Sequence, residues 1–434
     1  MSWPKSWPRS WYAATSDPAP ERPPLRDSIS CDVAIVGGGF AGLHTARLLA
    51  MRGRKVVVVE RQRLGWGASG RNGGFVGAGW AARMDAVVAR VGVARARELY
   101  AISQEGVEIV RDAIRQIGRP DLVMGNAKLT VSRVDAGIDN YVEAARRRTE
   151  ELGATLYAWN TAEVRAVLAS KRYFQALCDP RSFHIHPLNL VLALAADIET
   201  RGATIHESSA ATRLARTADG WRVGTPQGEI AACHVVLAGS AHLGRIHRRA
   251  ASSVLPVATF VAVTEKLGPR LREAIRWPGA ISDTRRAGNY YRVVDGDRLL
   301  WGGGITTNTL EPWGLRGTMR RDILSVYPQL GRQLGDVKIE YAWPGIMGYA
   351  LHKMPQVGEI EPGLWICSAF GGHGLAQTAG AASVIASGIA GEDERWRLFA
   401  PYGLDWAGGP FGRVGVQLTY WGMQARDWAE ERLG

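Results

Sequence analysis

Cysteine is scarce in this sequence: four residues in 434, at Cys31, Cys178, Cys233 and Cys367, none in a CxxC pair. That spacing excludes a zinc knuckle and a dithiol redox motif, so no metal site is expected. The four are expected to be reduced thiols in the core. Long hydrophobic runs are also missing. No apolar stretch reaches the roughly 18–20 residues of a membrane helix. The first 25 residues, MSWPKSWPRSWYAATSDPAPERPPL, lack the apolar centre of a secretion signal. A cytoplasmic location and no membrane span are expected. Acid is short relative to base, 41 Asp and Glu against 53 Lys and Arg, for a net charge of +12. Yet the basic residues are scattered, with Arg146, Arg147 and Arg148 on one expected helix and Arg245, Arg248 and Arg249 in an expected loop. No basic stripe interleaved with aromatics appears, so a nucleic-acid partner is not expected. No internal repeat is visible. What remains, 46% hydrophobic and 22% charged, is the composition of a folded protein long enough for two lobes.

Against that background one stretch is rich where the rest is ordinary. Val33–Gly42 reads VAIVGGGFAG. Asp32–Val36 has the pattern of a buried parallel strand. Gly37 permits the turn, Gly39 lets the backbone approach a phosphate, and Gly42 lets the next helix pack against the strand. Phe40 and Ala41 open that helix, which Gly53 ends. Lys55–Val59 is a second strand, and Glu60 follows it about 18 positions after Gly42, where an acid meets ribose hydroxyls. Arg61 stands beside it. An acid here disfavours a 2′-phosphate, so NADP is not expected. NAD and FAD remain open.

The next segment separates them. From Gly65 to Gly79 it carries seven glycines together with Ala68, Ser69 and Ala78. A nicotinamide site has no use for it, whereas FAD continues past its pyrophosphate into a ribityl chain and a flavin ring. A small-residue segment alongside can turn its backbone N–H groups inward as an anion-binding nest. Gly67, Ala68, Ser69, Arg71, Asn72, Gly73 and Gly74 are therefore expected at the cofactor.

GWGASGRNGG, Gly65 to Gly74, closely resembles the flavin loop of the D-amino-acid-oxidase-like family of FAD-dependent oxidoreductases, and within it the γ-glutamylputrescine oxidase branch. SFHIHPLNL (Ser182–Leu190), NYYR (Asn289–Arg292) with RLLWGGG (Arg298–Gly304), and FGGHGLAQT (Phe370–Thr378) resemble further segments of that branch. The resemblance runs from about Trp11 to the last helix. It implies an α/β fold: a Rossmann-like FAD-binding domain interleaved with an α+β substrate domain built on an antiparallel sheet. The expected division is residues 29–90, 180–250 and 340–393 for the FAD-binding domain and 91–179 and 251–339 for the substrate domain. A Trp/Pro-rich extension, 1–28, packed over the body, and a helical tail, 394–434, complete it.

The resemblance also places Gly371, Gly372, His373, Gly374 and Leu375 at the flavin, with Ala211, Ala238 and Gly239 completing the cofactor contacts. A helix starting near Leu375 offers the positive end of its dipole, and His373 either adds charge or holds the turn. Relatives that attach FAD covalently use a cysteine past the Trp–Gly segment. Tyr341–Gly358 has none, so FAD is expected to be noncovalent. Glycine-oxidase-like relatives carry a carboxylate-clamping arginine where Met347 stands, which turns the expectation from small α-amino acids to amines. Sarcosine-oxidase-like relatives place an oxygen-activating lysine where Trp301 stands.

Arg292 is the candidate for a distal substrate carboxylate, since a guanidinium fork suits one. Tyr290 and Tyr291 alternate, so only one faces the site; Tyr291 with His373 and Trp301 are the candidate catalytic residues, and Tyr290, His352 and Met347 the candidate substrate contacts. His184 and His186 share a face and read as structural. The expected reaction is oxidation of a primary or secondary amine by hydride transfer to flavin N5, with O2 or another acceptor taking the electrons. An imino-acid dehydrogenase passing electrons to a quinone and a tRNA-modifying flavoenzyme are the alternatives. Oligomeric state is not legible.

For the rest of the chain, a single helix is expected over Met84–Gly118 and others over Asn140–Gly153, Leu188–Arg201 and Gln377–Ile389. Strands are expected at Lys128–Ser132, Val254–Glu265, Tyr290–Asp295, Arg298–Gly303 and Leu364–Ala369. A three-stranded meander is expected at Thr204–Glu207, Gly220–Thr225 and Glu229–Ala232, followed by a separate strand at His234–Ala238.

Overall fold

The computed structural model describes residues 6–286, 288–331 and 337–433. Trp3 of the Trp-rich start lies outside them. Ser28–Val36, Val56–Val59 and Glu229–Leu237 end in buried apolar runs and lie side by side in parallel. Strands covered on both faces need no polar alternation. Leu364–Ser368 joins them beside Glu229–Leu237, and Thr204–His206 beside Val56–Val59. The chain leaves Ser28–Val36 for one side of the sheet and returns on the other. The carboxyl ends of the two central strands therefore face a crevice, the usual place for a ligand in such a sheet.

Helices Phe40–Ala50, Leu375–Ala390 and Val93–Ile117 pack in succession. The last two touch backbone to backbone: a Cβ on Gly106 would sit 2.0 Å from the Ala376 carbonyl oxygen, and one on Gly380 2.3 Å from that of Ile102.

A second sheet runs in the order Ile339–Tyr349, Leu255–Thr264, Arg298–Thr306, Tyr290–Val294, Ala280–Asp283, Val123–Val131, Ala176–Ile185, Phe75–Val76. All its neighbours along this order are antiparallel except Ala280–Asp283 on Val123–Val131. Its back carries a core that includes Tyr173, Tyr291, Trp301 and Tyr327, packed with helix Leu315–Val326. The two interleaved lobes are those of the expected fold class.

Several local expectations change. The helix over 84–118 is two helices, Met84–Val91 and Val93–Ile117, because Gly92 between them adopts φ 79° and ψ 163°. The meander is different: Thr204–His206 belongs to the parallel sheet, Arg213–Thr217 pairs with Gly220–Gly224, and Glu229–Leu237 is one continuous strand. Cys233 in that strand is exposed rather than in the core. Arg248 and Arg249 lie in a short helix, Arg248–Ser252, rather than in a loop.

The boundary at 340 falls within Ile339–Tyr349, which is held along its length by Leu255–Thr264 of the second sheet, and the boundary at 180 falls within Ala176–Ile185 of the same sheet. Helix Val93–Ile117, expected in the substrate lobe, packs on the first lobe. The N-terminal segment is tied to the body by Trp7, whose Nε1 donates to the Leu64 carbonyl at 2.8 Å, and by the buried Trp11 and Tyr12. The C-terminal tail is one long helix, Gly409–Leu433. No described helix is long and apolar enough to cross a membrane.

Candidate active site

A cleft of about 1020 Å³ lies where the carboxyl edge of the first sheet meets the front of the second. That is the upper end of the range for small-molecule sites and leaves room for a long ligand.

Gly37, Gly39, Phe40 and Ala41 line it. Gly42 does not: it packs beneath, where a Cβ would meet the Gly37 carbonyl oxygen at 2.0 Å. Helix Phe40–Ala50 starts at Gly39 with no side-chain cap, so the positive end of its dipole opens on the cleft. A side chain at Gly39 would collide with Ser69 Oγ at 2.8 Å, and that same hydroxyl accepts from the Phe40 N–H at 3.0 Å. Glu60 and Arg61 also line the cleft. The Glu60 carboxylate accepts from the N–H groups of Gly38 (2.7 Å) and Gln62 (2.8 Å). Burial raises its pKa against those two donors.

In the second glycine segment, Gly67, Ala68, Ser69, Arg71, Asn72 and Gly73 line the cleft. The Asn72 side chain braces the turn, donating to the Ala68 and Ser69 carbonyls at 3.0 and 2.9 Å and accepting from the Gly74 N–H at 2.8 Å. Arg71 stacks its guanidinium 4.3 Å over the Trp66 ring and donates Nε to the Trp66 carbonyl. Its Nη2 is buried without a partner, and burial lowers its pKa to about 10, which leaves it charged at neutral pH. Trp343 holds the loop from behind, donating Nε1 to the Arg71 carbonyl at 2.9 Å. Gly74 lies off the cleft against the Ile185 carbonyl and Arg292.

The third contribution comes from Gly371, Gly372, His373, Gly374 and Leu375, with Ala211, Ala238 and Gly239 on the opposite side. Helix Leu375–Ala390 also starts without a side-chain cap, at Gly374. The Gly372 N–H donates to the Tyr349 hydroxyl at 2.9 Å. Gln377 Nε2 donates to the carbonyls of Gly77 and Gly79, which ties this helix to the second glycine segment. His373 faces the cleft; the protein around it, aided by the Lys128 ammonium, lowers its pKa to about 4. Cys367 lies at the cleft too, its thiol pushed up to about 12 by burial.

The second sheet gives the cleft backbone at Gly303, Gly304, Gly345 and Gly348 and, mainly from its other strands, side chains. Thr130, Ser282 and Tyr290 sit in one row across three strands, with Thr130 Oγ1 3.4 Å from Ser282 Oγ. Lys128 is two residues from Thr130 and so on the same face. It makes no ion pair or hydrogen bond among the described residues, and burial lowers its pKa against the pull of Asp179. Thr259 and Met347 complete this side. Tyr290, hydrogen-bonded to Thr259, has its phenol pushed up to about 12 by burial. Lys128, Thr130, Thr259, Ser282, Tyr349 and His242 escape the sequence reading. Strand alternation alone signals those in strands, and only once the facing direction of each strand is known; His242 sits in the turn Ser240–His242 and has no such signal.

Besides Gly42 and Gly74, four expected catalytic or substrate residues lie elsewhere. Arg292 is fully buried beyond the cleft. Its terminal nitrogens donate to His184 Nδ1 at 2.6 Å, the Ile185 carbonyl at 2.7 Å and the Tyr12 hydroxyl at 3.1 Å, which ties the N-terminal segment to the sheet, while Nε is buried without a partner. Tyr291 points into the back core, its hydroxyl between those of Tyr173 (3.0 Å) and Tyr327 (2.8 Å). Trp301 stacks on Tyr291 at 4.4 Å and donates to Asp322, also behind the sheet. His352 sits in an outer turn, bonded to Gly403 and Met354 and packed on Tyr402. His184 and His186 are structural: the first bonds Arg292 and the Pro278 carbonyl, and the second caps helix Pro187–Thr200.

Residues 32–387 match the family model described as DAO, FAD dependent oxidoreductase. The chain belongs to this family. It is 33% identical over 397 residues to the gamma-glutamylputrescine oxidoreductase of Escherichia coli (strain K12), a match covering 90% of each chain. It is 31% identical over 384 residues to the probable oxidoreductase OrdL of Haemophilus influenzae, covering 87% of each. Its fold is similar to that of glycine oxidase from Geobacillus kaustophilus, with a TM-score of 0.72 at 19% identity over 87% of this chain and 98% of that one. The family and branch resemblance read from the glycine motifs is thereby borne out, and the protein is an FAD-dependent amine or amino-acid oxidoreductase. The cleft suits that cofactor. Two uncapped helix starts, the space kept open at Gly39 and the unpartnered Arg71 Nη2 provide for anionic and carbonyl groups along an extended ligand.

Proposed function

We propose that the enzyme holds FAD noncovalently and oxidises a primary or secondary amine that carries a carboxylate away from the reacting nitrogen, a γ-glutamyl-polyamine-like or N-substituted amino compound. The observation that carries this reading is Lys128, which makes no hydrogen bond or ion pair among the described residues, although Asp179 stands opposite it on the neighbouring strand. It lies on a sheet face with the hydroxyls of Thr130, Thr259, Ser282 and Tyr290. A carboxylate supplies the missing partner. Met347, rather than an arginine, leaves no second clamp for the carboxylate of a small α-amino acid. Two other cleft-lining cations, Arg285 and Arg286, are already paired, with Asp283 and with Asp427 and Glu430.

The residues near Lys128 act by placement. His373, held to about 4, is neutral at physiological pH and does not repel the incoming amine. Tyr290, held to about 12, stays protonated and donates a hydrogen bond. Neither is a strong base, so the amine enters uncharged. FAD held along Gly37, Gly39, Gly73 and Gly372 would supply the hydride acceptor and would pass the electrons to O2 as hydrogen peroxide, and the imine product would hydrolyse to a carbonyl. The noncovalent reading rests on the absence of cysteine from Tyr341–Gly358; Cys367, which lines the cleft, has its thiol pushed up by burial and is a poor nucleophile. Acid precipitation should leave the yellow colour in solution.

The test of substrate class is an anaerobic screen that follows bleaching of the flavin absorbance. γ-Glutamyl amines and N-alkyl amino acids are expected to bleach it and glycine to leave it oxidised. Fastest bleaching by glycine overturns the reading. Bleaching without peroxide in air assigns the electrons to a quinone-type acceptor instead.

A further inference from the structure

The C-terminal helix, Gly409–Leu433, has a working inner face and a bare outer one. Inward, Gln417 accepts from the Thr306 hydroxyl and the Thr307 N–H, both at 2.9 Å. Asp427 and Glu430 pair with Arg286, Glu431 pairs with Arg133, and Tyr420 is buried. Outward, Phe411, Val414, Leu418, Trp421 and Trp428 are between 57 and 84% exposed. With the exposed Ala425 they are spaced alternately by three and four residues. That is the 3.5-residue seam by which one helix meets another, narrower than the stripe a helix turns toward its own core. Beside the seam, Gly415, Gly422 and Ala429 recur every seven residues, and a Cβ on either glycine meets nothing within 4 Å. A second backbone has a flat flank to lie against.

We propose that this face is a two-fold interface and that its occupant is the same helix of a second copy. Run antiparallel, the seam maps onto itself, Phe411 onto Trp428, Val414 onto Ala425 and Leu418 onto Trp421, with the two helix dipoles opposed. The area suffices. Three aromatics of about 150–250 Å² each, more than half exposed, together with Val414 and Leu418 give two copies on the order of 1,000 Å² to bury. That is about the threshold of a specific interface, and monomers rarely leave such a patch open. The three acids of the helix (Asp427, Glu430, Glu431) are paired inward, so its outer side keeps three arginines (Arg413, Arg426, Arg432), with Arg432 4.0 Å over the Trp428 ring. A lipid surface is therefore the competing occupant that the vesicle arm of the experiment tests.

The experiment is light scattering and sedimentation velocity on the full-length, flavin-loaded enzyme from low to high micromolar concentration. Leu418→Glu/Trp421→Glu is compared in parallel, and both proteins are spun with phosphatidylcholine vesicles with and without phosphatidylglycerol. The expected result is a species of twice 47.1 kDa that the double variant halves while keeping its flavin spectrum, with neither protein pelleting with vesicles. Phe411→Glu, at the far end of the seam, is expected to shift the dimer midpoint at least tenfold and supplies the answer if the double variant does not fold. A wild type that stays monomeric, a dimer indifferent to these changes, or vesicle binding that they abolish overturns the proposal.

Discussion

The two walls of the cleft are made of different materials. The wall from the first sheet is backbone: glycines at Gly37, Gly39 and Gly73, two uncapped helix starts, and carbonyls braced by Asn72 and Gln377. The wall from the second sheet adds discriminating side chains, Lys128, Thr130, Ser282, Tyr290 and Thr259, to a backbone patch at Gly303, Gly304, Gly345 and Gly348. Backbone grips a part common to every turnover and demands glycine at fixed spacing. Side chains discriminate, and they leave no fixed spacing behind. The cofactor half of such an enzyme is therefore conservative in its chemistry, while the substrate half changes by single substitutions.

Measurements can break that contrast. The largest effect concerns groups on neither wall. An unfolded histidine takes a proton near pH 6.5, but burial holds His44 and His184 to about 3 and His186 to about 4. Between those values the unfolded state binds more protons, so stability falls as pH falls. Each histidine costs ~1.4 kcal/mol per pH unit and the three together about 4. The thermal midpoint should drop steeply on acidification from about pH 6; a flat profile contradicts it.

Next comes the backbone wall. Gly39→Val should give folded protein that loses about 100-fold in FAD affinity, near 3 kcal/mol, read by flavin fluorescence titration. Lys128→Met then sharpens the other wall. KM for a carboxylate-bearing amine should rise roughly tenfold to hundredfold, the worth of a charged hydrogen bond, with kcat nearly unchanged and no effect on an amine lacking the carboxylate. The smallest effect separates the faces of one strand. Tyr291→Phe should cost about 1 kcal/mol of stability and leave turnover intact, because its hydroxyl serves Tyr173 and Tyr327 behind the sheet. Tyr290→Phe should lower turnover and leave stability alone.

This contrast also explains what was legible beforehand. The glycine segments, Glu60 and the closing helix could be read because their spacing follows from chain geometry, whatever the substrate. The strands at 33–36, Val56–Val59 and Leu364–Ser368 could be read because both faces are covered, whereas Thr204–His206 reads from the sequence as a meander strand and Glu229–Leu237 as two strands. Tyr291 was misplaced because alternation says that neighbours face opposite ways without saying which way is the cleft, and the back is covered by Tyr173 and Tyr327. Arg292 shares the face of Tyr290 but is sealed off there by His184 and the N-terminal Tyr12, both distant in sequence. Lys128 opens the strand expected at Lys128–Ser132, but alternation does not say that its face turns toward the cleft; the first half of Val123–Val131 escapes because it begins irregularly, with register shifts against Ala176–Ile185.

The hydrogen bonds from Gln377 to Gly77 and Gly79 join residues 300 and 298 apart in the chain. A ribosome making this protein therefore exposes two of the three glycine segments long before the third exists. The nascent chain has nothing to close over the flavin until Gln377 has emerged. Colour should be acquired at the end of synthesis, and fragments stopped before the closing helix should stay colourless even in excess FAD.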